Sequence, residues 1–409
     1  QELVRVNRGE VSVHRLGRSR WDEHRASFTR LMRKWSLSRI VLSAAALSVV
    51  LPILIVPTYL LLRAAGAGNA TVETMLQAST WHVLLRTLGL ATAVTLAAIA
   101  LAVPAAWLTT RTDLPGKRIW TVLVALPLVL PSYVAAFVYM TILAPKGMLQ
   151  QALEPWLGIE RLPSLTGFPG AFLVLTLISY PFVYLPVRAA LCRMDPALQE
   201  AARSLGASAW SAFYRVIVPY LRPSVAAGGL LVALYVLRDF GAVTMWQYST
   251  FTRVIYNRYL SYKLDAAAAL AVMLVILTIV ILAFESRARG RARYARLSAG
   301  SARTYSPHKL GRWRYPALFF LIMLVFSSLV LPASGLAIWL WRGWQNEATV
   351  RITESMQSNL LSLSQLWSPA WSSFTVSALA AVLVTFAALP LAILIVRRPS
   401  RFSPVSYTH

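Results

Sequence analysis

The residues with most chemical character in this chain gather in three short stretches. The first runs from Asp195 to Pro223 and holds Glu200-Ala201-Ala202, Gly206 and Pro219. A carboxylate can pair with a cation, and flanking alanines are small enough to allow a close approach to it. The second is Arg238-Asp239, an opposite pair in an apolar run. Ionisable groups at bilayer depth are costly and mark function by default, whereas an adjacent pair at the outer interface partly neutralises itself; both readings stand. The third is Leu126-Pro127-Leu128-Val129-Leu130-Pro131-Ser132-Tyr133. Prolines four apart each remove a backbone donor and bend a helix, and freed carbonyls at bilayer depth need protein or a water-filled cavity to receive them. Pro127, Pro131, Ser132 and Tyr133 therefore belong either to the wall of a permeation path or to a packing kink.

Catalysis by the chain itself has no visible set of groups. The phosphate-cradling Gly-x-x-x-x-Gly-Lys-Ser/Thr loop is missing, because Gly116-Lys117 lacks the earlier glycine and is followed by Arg118. Cys192 is the sole cysteine, so no internal disulfide or paired-thiol metal site exists. His82 lies beside Trp81 as an interfacial pair, and no His, Cys and carboxylate set has ligand spacing. The reading assigns no catalytic residue, no cofactor and no metal.

The elements that must position these residues follow from composition. Of 409 residues, 57% are hydrophobic and 13% charged. That is the usage of an all-α polytopic membrane protein rather than a soluble domain. The net charge of +25 does not point to nucleic acid, because the cations fall in the gaps between apolar runs. Candidate spans are 40–62, 84–109, 119–143, 171–190, 224–246, 266–284, 315–340 and 373–396. Each is near the length that crosses about 30 Å of hydrocarbon as a helix. With the arginine-rich segment 1–39 in the cytoplasm, 30 of the 40 Lys and Arg residues lie inside and 8 outside. This asymmetry puts 195–223 in the cytoplasm. No signal peptide is visible.

That loop has its own helix punctuation. Asp195 is a good N-cap and Pro196 suits the first helical position. Gly206 stands where a left-handed residue would close the helix. Ser208 can cap a second helix with an apolar stripe of Phe213, Val216 and Ile217, which Pro219 is expected to stop. Glu200-Ala201-Ala202, Gly206 and Val216-x-Val218-Pro219 together resemble the Glu-Ala-Ala signature of the permease subunits of binding-protein-dependent ABC importers. The resemblance implies the type I ABC importer permease fold and a multi-pass place in a bacterial inner membrane. It also implies that this loop docks on a separate dimeric ABC ATPase, with a periplasmic solute-binding protein as second partner.

Two further runs echo each other. Trp81, Pro104 and Arg111 recur as Trp367, Pro390 and Arg397 at one offset of 286 residues. An internal duplication explains the shared register, although transmembrane helices also share apolar composition and a closing cation by default. The domains then read as a basic segment 1–39, a first six-span repeat over 40–285, an arginine-rich linker over 286–314 and an incomplete second repeat over 315–409. A second Glu-Ala-Ala loop is absent, so a fragment of a longer fused permease or a truncated product is expected.

For the solute, Leu126–Phe137, Leu237–Val243 and Thr250–Tyr256 resemble the matching stretches of fused ferric-iron permeases. Thiamine, polyamine and oxyanion permeases share the general fold and remain alternatives. So do an ATP-independent secondary transporter, which would need charged pathways inside the spans, and a scaffold whose arginines bind anionic lipid.

Overall fold

The computed structural model describes residues 44–145, 147–158, 163–194, 204, 206, 208, 211, 213–288, 308–346 and 363–397. Among them the ordered elements are helices, with one isolated backbone bridge between Thr112 and His308. They are α1 (Ala44–Gly66), α2 (Asn69–Leu76), α3 (Ala78–Arg111), α4 (Lys117–Ala125) and α5 (Ser132–Leu143). There follow α6 (Met148–Leu157), α7 (Phe168–Ser179), α8 (Pro181–Arg193), α9 (Val218–Arg238) and α10 (Gly241–Met245). The last are α11 (Phe251–Leu260), α12 (Leu264–Ala288), α13 (Arg314–Val325), α14 (Leu331–Asn346) and α15 (Leu363–Arg397). The chain divides into two units, residues 60–350 and residues 1–59 with 351–409.

Eight stretches among the described residues are long and apolar enough to cross a membrane, the number that hydropathy leads one to expect. Two differ in form from the expected spans. The third, expected as one helix over 119–143, is two helices, α4 and α5, joined by a 3-10 turn at Leu126–Val129. A residue before proline is pushed out of the α region, and Leu130, with ψ 119° ahead of Pro131, breaks the helix.

The fifth span, expected over 224–246, is displaced towards the N-terminus as α9. Pro219 does not stop the preceding segment. A π-turn at Phe213–Ile217 runs directly into α9, and Pro219 falls in the first turn of that helix, where a backbone donor is not needed. The helix ends early because Asp239 turns extended, with ψ 130°. Arg238-Asp239 therefore closes a helix rather than lying within one.

In the larger unit, α7 and α8 form the centre: 72% of an 18-residue stretch within them is buried. The helices α3, α8 and α9 pack closely on one another. A Cβ on Gly228 of α9 would lie 2.6 Å from the Val183 Cα of α8, so glycine is what lets the two backbones meet. Three buried tyrosine hydroxyls are paired, as suits an apolar environment. The Tyr184 hydroxyl lies 3.0 Å from Thr109 Oγ1, and the Tyr180 hydroxyl 3.4 Å from Ser328 Oγ. Tyr139 donates to the carbonyl of Ser327, inside a π-turn at Phe326–Val330. That turn widens the helix and frees carbonyls for such partners.

In the other unit, α15 is 35 residues long, with Pro390 near its end, and its large apolar side chains from Trp367 to Leu389 are exposed. By comparison α3 has 34 residues, with Pro104 inside it.

Candidate functional site

Two regions carry the candidate residues. In the loop between α8 and α9, Glu200, Ala201 and Ala202 lie outside the described residues, as do Asp195 and Pro196. Gly206 is left-handed, with φ +86°, and has open space where a Cβ would stand. The Ser208 Oγ accepts the Ser211 N–H at 3.2 Å, the bond that an N-cap serine makes. Beyond it Tyr214 and Arg215 are exposed, while Ile217 is buried and anchors the start of α9.

In the second region the structure brings together two stretches that are more than a hundred positions apart in sequence. The break between α4 and α5 meets the break between α9 and α10. Gly241 lies against the start of α5, where an added Cβ would come within 2.9 Å of the Tyr133 backbone nitrogen and 3.0 Å of Ser132 Oγ. Asp239 Oδ1 accepts the Ala242 N–H at 2.9 Å and the Val243 N–H at 3.3 Å, capping α10. The Ser132 side chain also favours the charged form of this carboxylate. Burial raises the Asp239 carboxyl from its ordinary value; Ser132, the two N–H groups and Arg238 act in the opposite direction. Thr252 Oγ1 donates to the Asp239 carbonyl at 2.7 Å, tying α11 to the same point.

Not every candidate joins this junction in the same way. Ser132, Tyr133 and Asp239 meet there, and Pro131 holds the extended entry to α5. Pro127 is buried one turn earlier, in the 3-10 segment. Arg238 is exposed, its guanidinium 5.4 Å from the centre of the Tyr235 ring. Phe240 packs edge-on against Tyr256 at 4.7 Å.

Sequence reasoning missed Gly241 and the cap. The signal was Asp239-Phe240-Gly241, an acceptor placed just before a short helix, which reads as an N-terminus once the apolar run is not assumed to be continuous. It also took Arg111 only as a cytoplasmic cation and a mark of repetition. Arg111 is buried, and its Nη2 donates to the carbonyls of Leu191 and, at 2.9 Å, Met194, the last residues before the loop. No group of three or more His, Cys, Asp or Glu residues that could hold a metal occurs among the described residues.

Comparison with known proteins gives these features a context. Residues 103–287 match the family model described as binding-protein-dependent transport system inner membrane component. The chain is 30% identical over 344 residues to the Fe(3+)-transport system permease protein FbpB 2 of Haemophilus influenzae, covering 83% of this chain and 62% of that protein. It is 31% identical over 162 residues to the molybdenum transport system permease protein ModB of Escherichia coli, covering 40% of this chain and 69% of that protein. Among solved structures, a bacterial alginate ABC transporter in complex with an alginate pentasaccharide-bound periplasmic protein contains a similar chain. The TM-score is 0.53 at 20% identity, over 64% of this chain and 97% of that one. The expected all-α polytopic architecture is thus the fold of ABC importer permeases.

Proposed function

This chain belongs to the family of binding-protein-dependent transport system inner membrane components, and on that premise we propose that it forms the solute path of an importer driven by a separate ABC ATPase. The loop 195–223 is the coupling element. Closure of an ATPase dimer moves it, α8 and α9 shift with it, and access alternates across the membrane. A periplasmic solute-binding protein delivers the cargo on the other face.

What supports this reading above all is that Glu200-Ala201-Ala202 and Gly206 fall inside the matched segment, between α8 and α9. The strong excess of cations in the gaps assigned to the cytoplasm supports an internal N-terminus and loop. Deleting 195–223 from the chain should abolish its co-purification with the ATPase; retention of the complex would overturn the coupling role. Cys192, the sole cysteine and exposed, gives the orientation test. A membrane-impermeant maleimide should reach it in inverted vesicles and not in right-side-out ones.

For the cargo we infer ferric iron, on the extent of the likeness to the Fe(3+) permease. A second reading, an oxyanion such as molybdate, is favoured by exposed Arg238 and by the molybdenum permease likeness. Uptake of radioactive iron in competition with molybdate separates the two. The duplication is likewise an inference, supported by the matched lengths of α3 and α15 and by their prolines in register.

A further inference from the structure

We propose that Arg111 is a positioning residue that clamps the root of the coupling loop; the assignment rests on the reading of 195–223 given above. The last carbonyls of an α-helix have no partner within it, and a cation near them is favoured by the helix dipole. The α8 helix ends at Arg193, and Met194 turns extended, with ψ 128°. Arg111, only 3% exposed, reaches these carbonyls from the end of another helix, bonding to Leu191 and Met194. Burying a guanidinium is costly unless it is hydrogen-bonded, so the arrangement is built and not incidental.

Arg111 is in turn held from behind. Its own carbonyl accepts the His308 N–H at 2.9 Å, and the Asp113 N–H donates to the His308 carbonyl at 3.2 Å. The Asp113 carboxylate accepts the Leu310 N–H at 2.9 Å. The His308 ring lies 5.9 Å from that of Trp107, one turn before Arg111. A strap from the end of the 286–314 segment thus fixes the end of α3, and the end of α3 fixes the end of α8. Motion imposed on the loop is passed to the helix bundle only if its root is stiff, and this network supplies the stiffness. Loss of the guanidinium would let the loop move without dragging α8.

The native Cys192 stands between the two clamped carbonyls and provides the probe. A nitroxide placed on it in the full chain should show a restricted spectrum, and a clearly more mobile one in Arg111→Ala. Arg111→Lys keeps the charge but loses the planar fork, so its spectrum should be intermediate. In the complex reconstituted with its ATPase, Arg111→Ala should lower solute moved per ATP hydrolysed by about fivefold to tenfold while the ATPase remains bound. Arg111→Lys should recover part of that ratio. A wild-type spectrum and a wild-type ratio in both variants would overturn the proposal. If the alanine variant fails to fold, the lysine variant decides alone by the same two readouts. The coupling reading fails separately, when the ATPase binds without 195–223, and the Cys192 spectrum still tests the clamp in that case.

Discussion

Adjacent glycines in α9 should respond differently to the same substitution. A Cβ on Gly228 would stand 2.6 Å from the Val183 Cα and 2.9 Å from the Phe182 carbonyl oxygen. Ordinary contact begins near 3.4 Å, so the deficit is about 0.8 Å, and both obstacles are backbone atoms that no rotamer change can move. α9 must therefore separate from α8, opening the contact along its length. Overpacking of this kind costs about 1–3 kcal/mol. At Gly229 the nearest atoms are Thr95 Cγ2 at 3.3 Å and Ile99 Cδ1 at 3.5 Å, the ends of side chains that can yield by a few tenths of an ångström. Alanine is also a better helix former than glycine by roughly 1 kcal/mol, which offsets that small strain. Thermal unfolding of the two purified variants in the same detergent gives the comparison. Gly228→Ala should melt several degrees lower, at about 2–4 °C per kcal/mol, and Gly229→Ala should stay within about 2 °C of the parent. Equal melting temperatures would show that the α8–α9 approach is not the tight contact argued here.

Three other outcomes can be checked on the same preparations. Asp239→Ala removes the acceptor for the Ala242 and Val243 N–H groups and should destabilise by about 0.5–2 kcal/mol, with Asp239→Asn closer to the parent because an amide oxygen still caps. Gly206→Val places a β-branched residue at φ +86°, a strain of about 1–3 kcal/mol confined to the loop. Coupled transport should fall while protease protection of the membrane helices is unchanged, and normal coupling would count against a role for that corner. Asp265→Asn breaks the 3.0 Å pair with Arg63, but both partners are substantially exposed, so the loss in unfolding free energy should stay below about 1 kcal/mol.

How much of this was legible beforehand depends on the range of the physics involved. Crossing hydrocarbon sets a length and a polarity for each helix, and those are properties of a contiguous run, so the eight spans could be read directly from the residues. A bend at Pro127 and Pro131 was readable in the same way, because proline acts on its immediate neighbour, but the full break into two helices was not. The end of α9 was not. Nothing in Leu237-Arg238-Asp239-Phe240 forbids a continuing helix; it stops because Asp239 finds the Ala242 and Val243 N–H groups, Ser132 and Thr252 around it. Pro219 misled for a related reason, since a proline reads equally as a stop or as a first-turn residue until the π-turn that precedes it is known. The same limit explains Arg111, whose type and position were noticed but whose meaning lies in two carbonyls some eighty residues away. Where a charge is buried in a membrane protein, sequence tells that it must have partners, and only the packing tells which motion those partners would transmit. The junction of Ser132 with Asp239 and the clamp at Leu191 and Met194 mark opposite ends of the α8–α9 pair, one at each terminus of the proposed lever. A lever needs both a stiff root and a defined far end, so variants at Arg111 and Asp239 should lower coupling through different measurable steps: loop mobility for the first, stability of the α9–α10 turn for the second.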